Sequence, residues 1–250
     1  MARRAVILTL VGALVLILTS PVLAHAAGSS TSSASWGVDR ATLIDVHAIH
    51  AAPARHGKPG PSTANCSNDG SSNGQYTLTG WTVQASQVAH LNAGTIPGGL
   101  SQSAVVNALS ASFAAWHQAD GAAPTISVAT DGTTNRQTAN HRYDLLWGHT
   151  SGSAIAVTYT WMWSDGSIES DTVFNNRLPW FTASSEGDGC YENQPSYDVR
   201  NIATHEFGHT YGLGHASSDR FETMYPYGYT GETLKWSPAN GDVAGIRSLY

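Results

Sequence analysis

The segment His205-Glu206-Phe207-Gly208-His209-Thr210-Tyr211-Gly212-Leu213-Gly214-His215 constrains this 250-residue chain more than any other stretch. Val199, Ile202, Ala203 and Phe207 recur on one face and Asp198 stands where an N-cap belongs, so the pattern predicts a helix over 199–211. On it, His205 and His209 lie about 40° apart around the axis and one turn apart along it, so both imidazoles can reach one metal ion. Glu206 falls beside that pair, where a carboxylate can hold a water instead of binding the ion. Gly212 permits a left-handed residue that ends the helix and reverses the chain. The reversal can bring His215 to the same ion as a third ligand. Three neutral imidazoles plus a water make an open catalytic zinc site, in which the water's pKa falls to about 7. A His-x-x-x-His pair arises readily by chance in a chain with eleven His. The full HExxHxxGxxH constraint arises by chance in roughly one such chain in ten thousand.

At these residues the sequence resembles the metzincin metallopeptidases, whose signature is HExxHxxGxxH followed by a Met-containing turn. Thr223-Met224-Tyr225-Pro226 supplies such a turn, and Met-Tyr-Pro resembles the matrixin branch. So does the tail, Ser237-Pro238 and then Asp242 to Tyr250, as a closing helix. The resemblance implies an α+β zincin fold: a twisted, mostly parallel sheet, two helices above an active-site cleft, and a small C-terminal subdomain with the Met-turn and a terminal helix. It also implies that Met224 is a hydrophobic floor rather than a ligand, that Tyr225 to Tyr229 wall a substrate pocket, and that the strand near Ala154 to Tyr159 edges the cleft. There a substrate chain can add by β-augmentation. The sequence departs from matrixins in four places. Ala216 follows the third His where they usually have Ser; the PRCGxPD latency motif is absent; His149-Thr150-Ser151 lacks the carboxylate of a structural-zinc loop; and calcium, a possible second metal, has no nameable ligands. Asp165, Asp171 and Asp188 read as solvated acids in loops or strand ends.

Composition narrows the class. Twelve Lys+Arg against eighteen Asp+Glu give a net charge of −6, which excludes a polybasic nucleic-acid binder. With 41% hydrophobic and only 12% charged residues, charge-driven disorder is excluded too. Arg3 and Arg4, the apolar run Ala5 to Leu18 and the small residues of Ala24-His25-Ala26 form a signal-peptide pattern over residues 1–26; an uncleaved anchor is the alternative. Two cysteines, Cys66 and Cys190, read as one disulfide of a secreted chain, worth about 4–5 kcal/mol on the chain-entropy model. The rival is that Cys66 is a free thiolate blocking the metal.

Residues 27–74, rich in Ala, Ser, Gly and Pro, read as a flexible leader or pro-segment. Within them Ala41 to Ala51 is expected to form a helical turn or two, with His47, His50 and His56 solvated. From 75 to 250 the pattern is that of one folded α+β domain. Strands are expected at Thr77–Val83, Ala89–Ile96, Thr125–Thr130, Leu145–Trp147, Ala154–Trp163 and Ile168–Phe174, with a hairpin turn at Asp165-Gly166 and a helix over Leu100–Gln118. The reading that follows is a secreted, monomeric zinc endopeptidase acting on polypeptides, with one catalytic Zn²⁺ on His205, His209 and His215 and Glu206 as general base. It expects no nucleic-acid partner and no membrane attachment after signal cleavage. Two alternatives stand beside it: a zinc-stabilised binding or adhesion module, and a zinc hydrolase of a non-peptide amide.

Overall fold

Tyr143–Gly148 is buried along its whole length, the mark of a strand inside a sheet that is covered on both faces. The computed structural model in which it lies describes residues 39–52, 72–187, 190–191 and 193–250. The expected signal peptide, His56, Cys66 and Asp188 fall outside the described residues. In chain order the strands are β1 (Ala41–Ala51), β2 (Thr77–Leu78), β3 (Gln87–Leu91), β4 (Ile126–Ala129), β5 (Tyr143–Gly148), β6 (Ala154–Trp163), β7 (Ile168–Asn175), β8 (Trp180–Phe181), β9 (Tyr197–Asp198), β10 (Leu213–Gly214) and β11 (Tyr227–Gly228). The helices are α1 (Gln102–Ala119), α2 (Val199–Thr210) and α3 (Asn240–Leu249).

Seven strands form one sheet in the order β11-β1-β6-β7-β5-β3-β4. The β4, β3, β5 and β7 neighbours run parallel, β6 is antiparallel to β7, and β1 is antiparallel to β6 and parallel to β11. The mixed, mostly parallel sheet with its helices agrees with the matrixin-type architecture that the resemblance implies. Val105, Leu109, Phe113 and Trp116 line the buried side of α1, as their three- and four-residue spacing predicts. Gly166, with φ +85°, makes the β6–β7 turn. Two expected strands are shorter than their apolar runs: pairing at 77–83 stops after Leu78, and at 89–96 the chain leaves the sheet for a 3₁₀ turn at Ala93–Thr95 capped by the Asn92 side chain.

The largest departure is β1. Ala41–Ala51, expected to be a helical turn or two in a flexible leader, is an eleven-residue strand inside the main sheet. It belongs to the same compact unit as the rest, Asp39–Tyr250. Thr42, Ile44, Val46 and Ile49 suit an extended backbone. Register shifts at Leu43/Asp45 and Ile49/His50 interrupt the alternation that would otherwise have marked a strand.

Asp171 also departs from expectation. It lies wholly inside the protein on β7, where its carboxylate accepts the N–H groups of Thr138 and Asp144, each at 2.9 Å. Burial pushes it up to about 8, with the charges of Asp144 and Glu169 adding to the shift. Its folded value exceeds its unfolded one, so between about pH 4 and 8 the native chain keeps a proton that the unfolded chain has lost. Stability therefore falls as pH rises across that window, by up to about 1.4 kcal/mol per pH unit from this group. Asp171→Asn is expected to flatten that slope in urea unfolding followed between about pH 5 and 8; an unchanged slope would assign the proton elsewhere.

Candidate metal centre

Helix α2 is set into the core rather than laid on it, every residue but Arg200 being buried. Asp198 begins it: one carboxylate oxygen accepts the Asn201 N–H at 2.9 Å and the Trp236 indole N–H at 2.6 Å, the other the Ala183 N–H at 2.8 Å. That cap satisfies a helix N-terminus that water cannot reach. Helix α1 covers the far side, where the rings of Phe113 and Phe207 stack with centroids 3.6 Å apart and Trp116 donates its indole N–H to the Thr204 carbonyl at 2.8 Å.

Two of the imidazoles are oriented by backbone carbonyls. His205 Nδ1–H donates to Thr223 O and His209 Nδ1–H to Leu213 O, each at 2.7 Å. The one proton of each neutral ring is thereby used, and each Nε2 keeps a bare lone pair. His209 Nε2 then faces His205 Nε2 at 3.2 Å and His215 Nε2 at 3.2 Å. Lone pairs at that distance repel, and a cation between them removes the repulsion. A tetrahedral zinc with Zn–N bonds of about 2.0–2.1 Å separates its donors by about 3.3 Å, so the donor spacing fits that ion. Protonation is the poorer remedy. Burial drives His205 and His209 well below the usual histidine range and takes His215 down to about 4, neighbouring imidazoles adding to each shift.

Gly212 turns the chain as its position predicts, with φ +102°; a Cβ there would also sit 2.2 Å from the Trp81 carbonyl oxygen. Strand β10 follows at once and pairs with β2, and Thr77 Oγ1–H donates to the His215 carbonyl at 3.0 Å. The Met-turn is held from α3. Asp242 accepts the N–H groups of Thr223 and Met224 at 2.5 and 3.1 Å, and Glu222 accepts the first N–H groups of that helix, from Gly241 and Asp242. Burial and the charge of Glu222 raise Asp242 above the usual carboxylate range. Met224, 1% exposed, packs on α2 at Gly208.

Glu206 is fully buried beside the imidazoles. Its Oε2 accepts the Thr158 hydroxyl of β6 at 2.6 Å, and its Oε1 accepts the Ile49 N–H of β1 at 3.1 Å. Burial pushes the carboxyl up to about 8, against those hydrogen bonds. A cation on the imidazoles favours the carboxylate and opposes the shift.

The structure thus brings together His205, Glu206, His209 and His215, with Met224 beneath them, while Asp165 lies apart in the β6–β7 turn. Thr158, Asp242 and Glu222 escaped the sequence reading. Thr158 left a signal, a hydroxyl inside the apolar run of Ala154–Trp163. Asp242 left only a local one, an acid in the first turn of a helix that accepts the Ala239 N–H, and Glu222 left none, because the other backbone amides that meet these two acids are distant in sequence. His47, expected to be solvated, stacks on the His209 ring with centroids 4.2 Å apart. His47, His209 and His215 each offer a nitrogen within 4.8 Å of the others.

The Matrixin family model matches residues 93–250. Among similar proteins, the hatching enzyme of Paracentrotus lividus is 38% identical over 80 residues, 32% of this chain and 12% of that protein. Matrix metalloproteinase-25 of Homo sapiens is 34% identical over 85 residues, 33% of this chain and 14% of the relative. Metalloendoproteinase 1 of Glycine max is 46% identical over 55 residues, 22% of this chain and 17% of the relative. The chain therefore aligns with less than a fifth of the length of each of these relatives.

Gly208 gives the packing a direct check. A Cβ there would lie 2.2 Å from Met224 Sδ and 2.7 Å from Trp116 Cζ2. Gly208→Ala gains about 1 kcal/mol of helix propensity but must displace both side chains, an overpacking cost of about 1–3 kcal/mol. The variant is expected to melt several degrees below the parent in a calorimetric scan. A higher melting temperature would show that the floor beneath the imidazoles is loosely packed.

Proposed function

The chain belongs to the matrixin family, and on that premise we propose that it is a secreted zinc-dependent endopeptidase. In this reading His205, His209 and His215 hold one zinc ion and Glu206 is the general base. The observation that carries it is His209 Nε2 lying 3.2 Å from both His205 Nε2 and His215 Nε2, with the fully buried carboxylate of Glu206, the next helix residue after His205. Zinc bound there would supply Lewis-acid chemistry, lowering the pKa of a water to about 7 and polarising a carbonyl.

The chain's own groups do the rest. The Thr223 and Leu213 carbonyls fix the tautomers that leave Nε2 free to bind. Thr158 occupies Glu206 Oε2, and Oε1, which among the described residues accepts only the Ile49 N–H of the strand in the cleft, is the oxygen that accepts a proton from water and passes it to the leaving amine. The edge at which a substrate would pair is the outer side of β6, which β1 occupies in this structure, and Tyr225 to Tyr229, which include β11, wall the pocket beyond the scissile bond. The substrate is a polypeptide in extended form, since a sheet edge recognises backbone.

Secretion rests on the pattern of residues 1–26, which precede the leader and the catalytic region from residue 75. The disulfide Cys66–Cys190 belongs to the same proposal; the chain has two cysteines, and Cys190 is not a free thiol. Zinc content and casein digestion, measured side by side, test the assignment. Glu206→Gln should keep about one zinc per chain and lose 10²-fold or more of its activity, the scale of a positioned base. His205→Ala or His209→Ala should lose the metal itself. Digestion of casein by Glu206→Gln at near the parental rate would refute the mechanism.

A further inference from the structure

The cleft edge is taken by the chain's own β1, and it lies there in an orientation that presents a bond. Ala48 pairs with Val157 and Ile49 with Ala156 of antiparallel β6, while His50 pairs with Tyr227 of parallel β11. Beyond the pairing, the N–H of His50 donates to Pro226 O and that of Ala52 to Gly228 O, each at 2.9 Å. An extended segment is thus gripped on both sides.

Side chains alternate along it. His47 and Ile49 share one face, and Ala48 points to the other. His47 lies on the His209 ring. Ile49 is fully buried, its Cδ1 meeting those of Ile155 and Ile202 around the Cα of Gly228, where a Cβ would sit 3.1–3.3 Å from all three. Between these anchors, the one amide that reaches the buried carboxylate is that of Ile49, at 3.1 Å from Glu206 Oε1. That nitrogen sits where a leaving amine must be to receive the proton Glu206 has taken from water.

From this geometry we infer that the protein is its own first substrate and hydrolyses the Ala48–Ile49 bond within the same molecule. The inference rests on the endopeptidase reading above and adds to it the bond and the residue class accepted after it, a branched aliphatic. A water oxygen bonds to the Ala48 carbonyl carbon and the Ala48 C–Ile49 N bond breaks. One water proton travels through Glu206 Oε1 to the Ile49 nitrogen. The second water proton leaves the new carboxyl group for the same nitrogen, so the products are an Ala48 carboxylate and an Ile49 ammonium. Because the bond is already held in place, the step is unimolecular.

The test uses the full chain loaded with zinc. Mass spectrometry and N-terminal sequencing should find a new terminus at Ile49, appearing at a rate that does not change over a hundredfold range of protein concentration. Glu206→Gln should stay uncut, and its amides from His47 to Ala51 should exchange slowly with deuterium, a readout independent of turnover. Ile49→Glu puts a charge into an apolar pocket; it should lose that protection, remain uncut at 48–49 and digest casein without a lag. Four results overturn the inference. The first is casein digestion by a parent whose 48–49 bond stays intact. The second is a parent that is silent and uncut while Ile49→Glu is active, which makes β1 a plug rather than a substrate. The third is a rate proportional to protein concentration, which makes cleavage intermolecular. The fourth is equally fast exchange in Glu206→Gln and Ile49→Glu. If neither the parent nor Ile49→Glu digests casein with zinc bound, the endopeptidase reading itself has failed.

Discussion

His209 Nε2 faces two other imidazole lone pairs at 3.2 Å inside the core, and the surrounding structure is organised to keep it there. The Thr223 and Leu213 carbonyls hold the His205 and His209 rings with Nε2 turned toward one shared point, so an ion bound there would find those donors already aimed. Binding energy at such a site is partly folding energy. It ties α2 to three stretches remote in direction: the reversal after Gly212, the Met-turn, and, through Glu222 and Asp242, the start of α3. The C-terminal region is therefore less an appendage than the back wall of the donor set.

The site was legible in the sequence because its geometry is local. A helix of known pitch converts the spacing of His205 and His209 into a shared direction, and a glycine converts a helix end into a turn. The central strands were legible for a similar reason: Ala154–Trp163 and the run around Leu145 are apolar and β-branched, and burial on both faces leaves that imprint. What stayed hidden was set by partners far away in the chain. Glu222 and Asp242 look like surface acids until backbone amides converge on them, and Asp171 looks solvated until β7 is seen inside the sheet. Strand β1 was the hardest to read. Its alternation is broken by two register shifts, its residues are mostly half-exposed, and its reason to be extended is the waiting edge of β6.

The same long-range logic governs Glu206. Its acidity is set by competing influences: the desolvation that burial imposes, the Thr158 hydroxyl from β6, and an amide from β1. Only the last of these comes from a segment that hydrolysis could release. The carboxylate's surroundings would then change at one oxygen while the other stayed anchored, leaving its aim intact.

Strand β6 has a second consequence, in how the chain behaves in a crowd. A strand edge that recognises any extended polypeptide also recognises another copy of itself, and an unpaired edge templates aggregation. Here the outer side of β6 is covered along nearly its whole length, from Ala154 to Trp163, by residues 41–50 of the same chain. With β1 paired along it, the folded molecule offers its neighbours no bare edge on that side of β6.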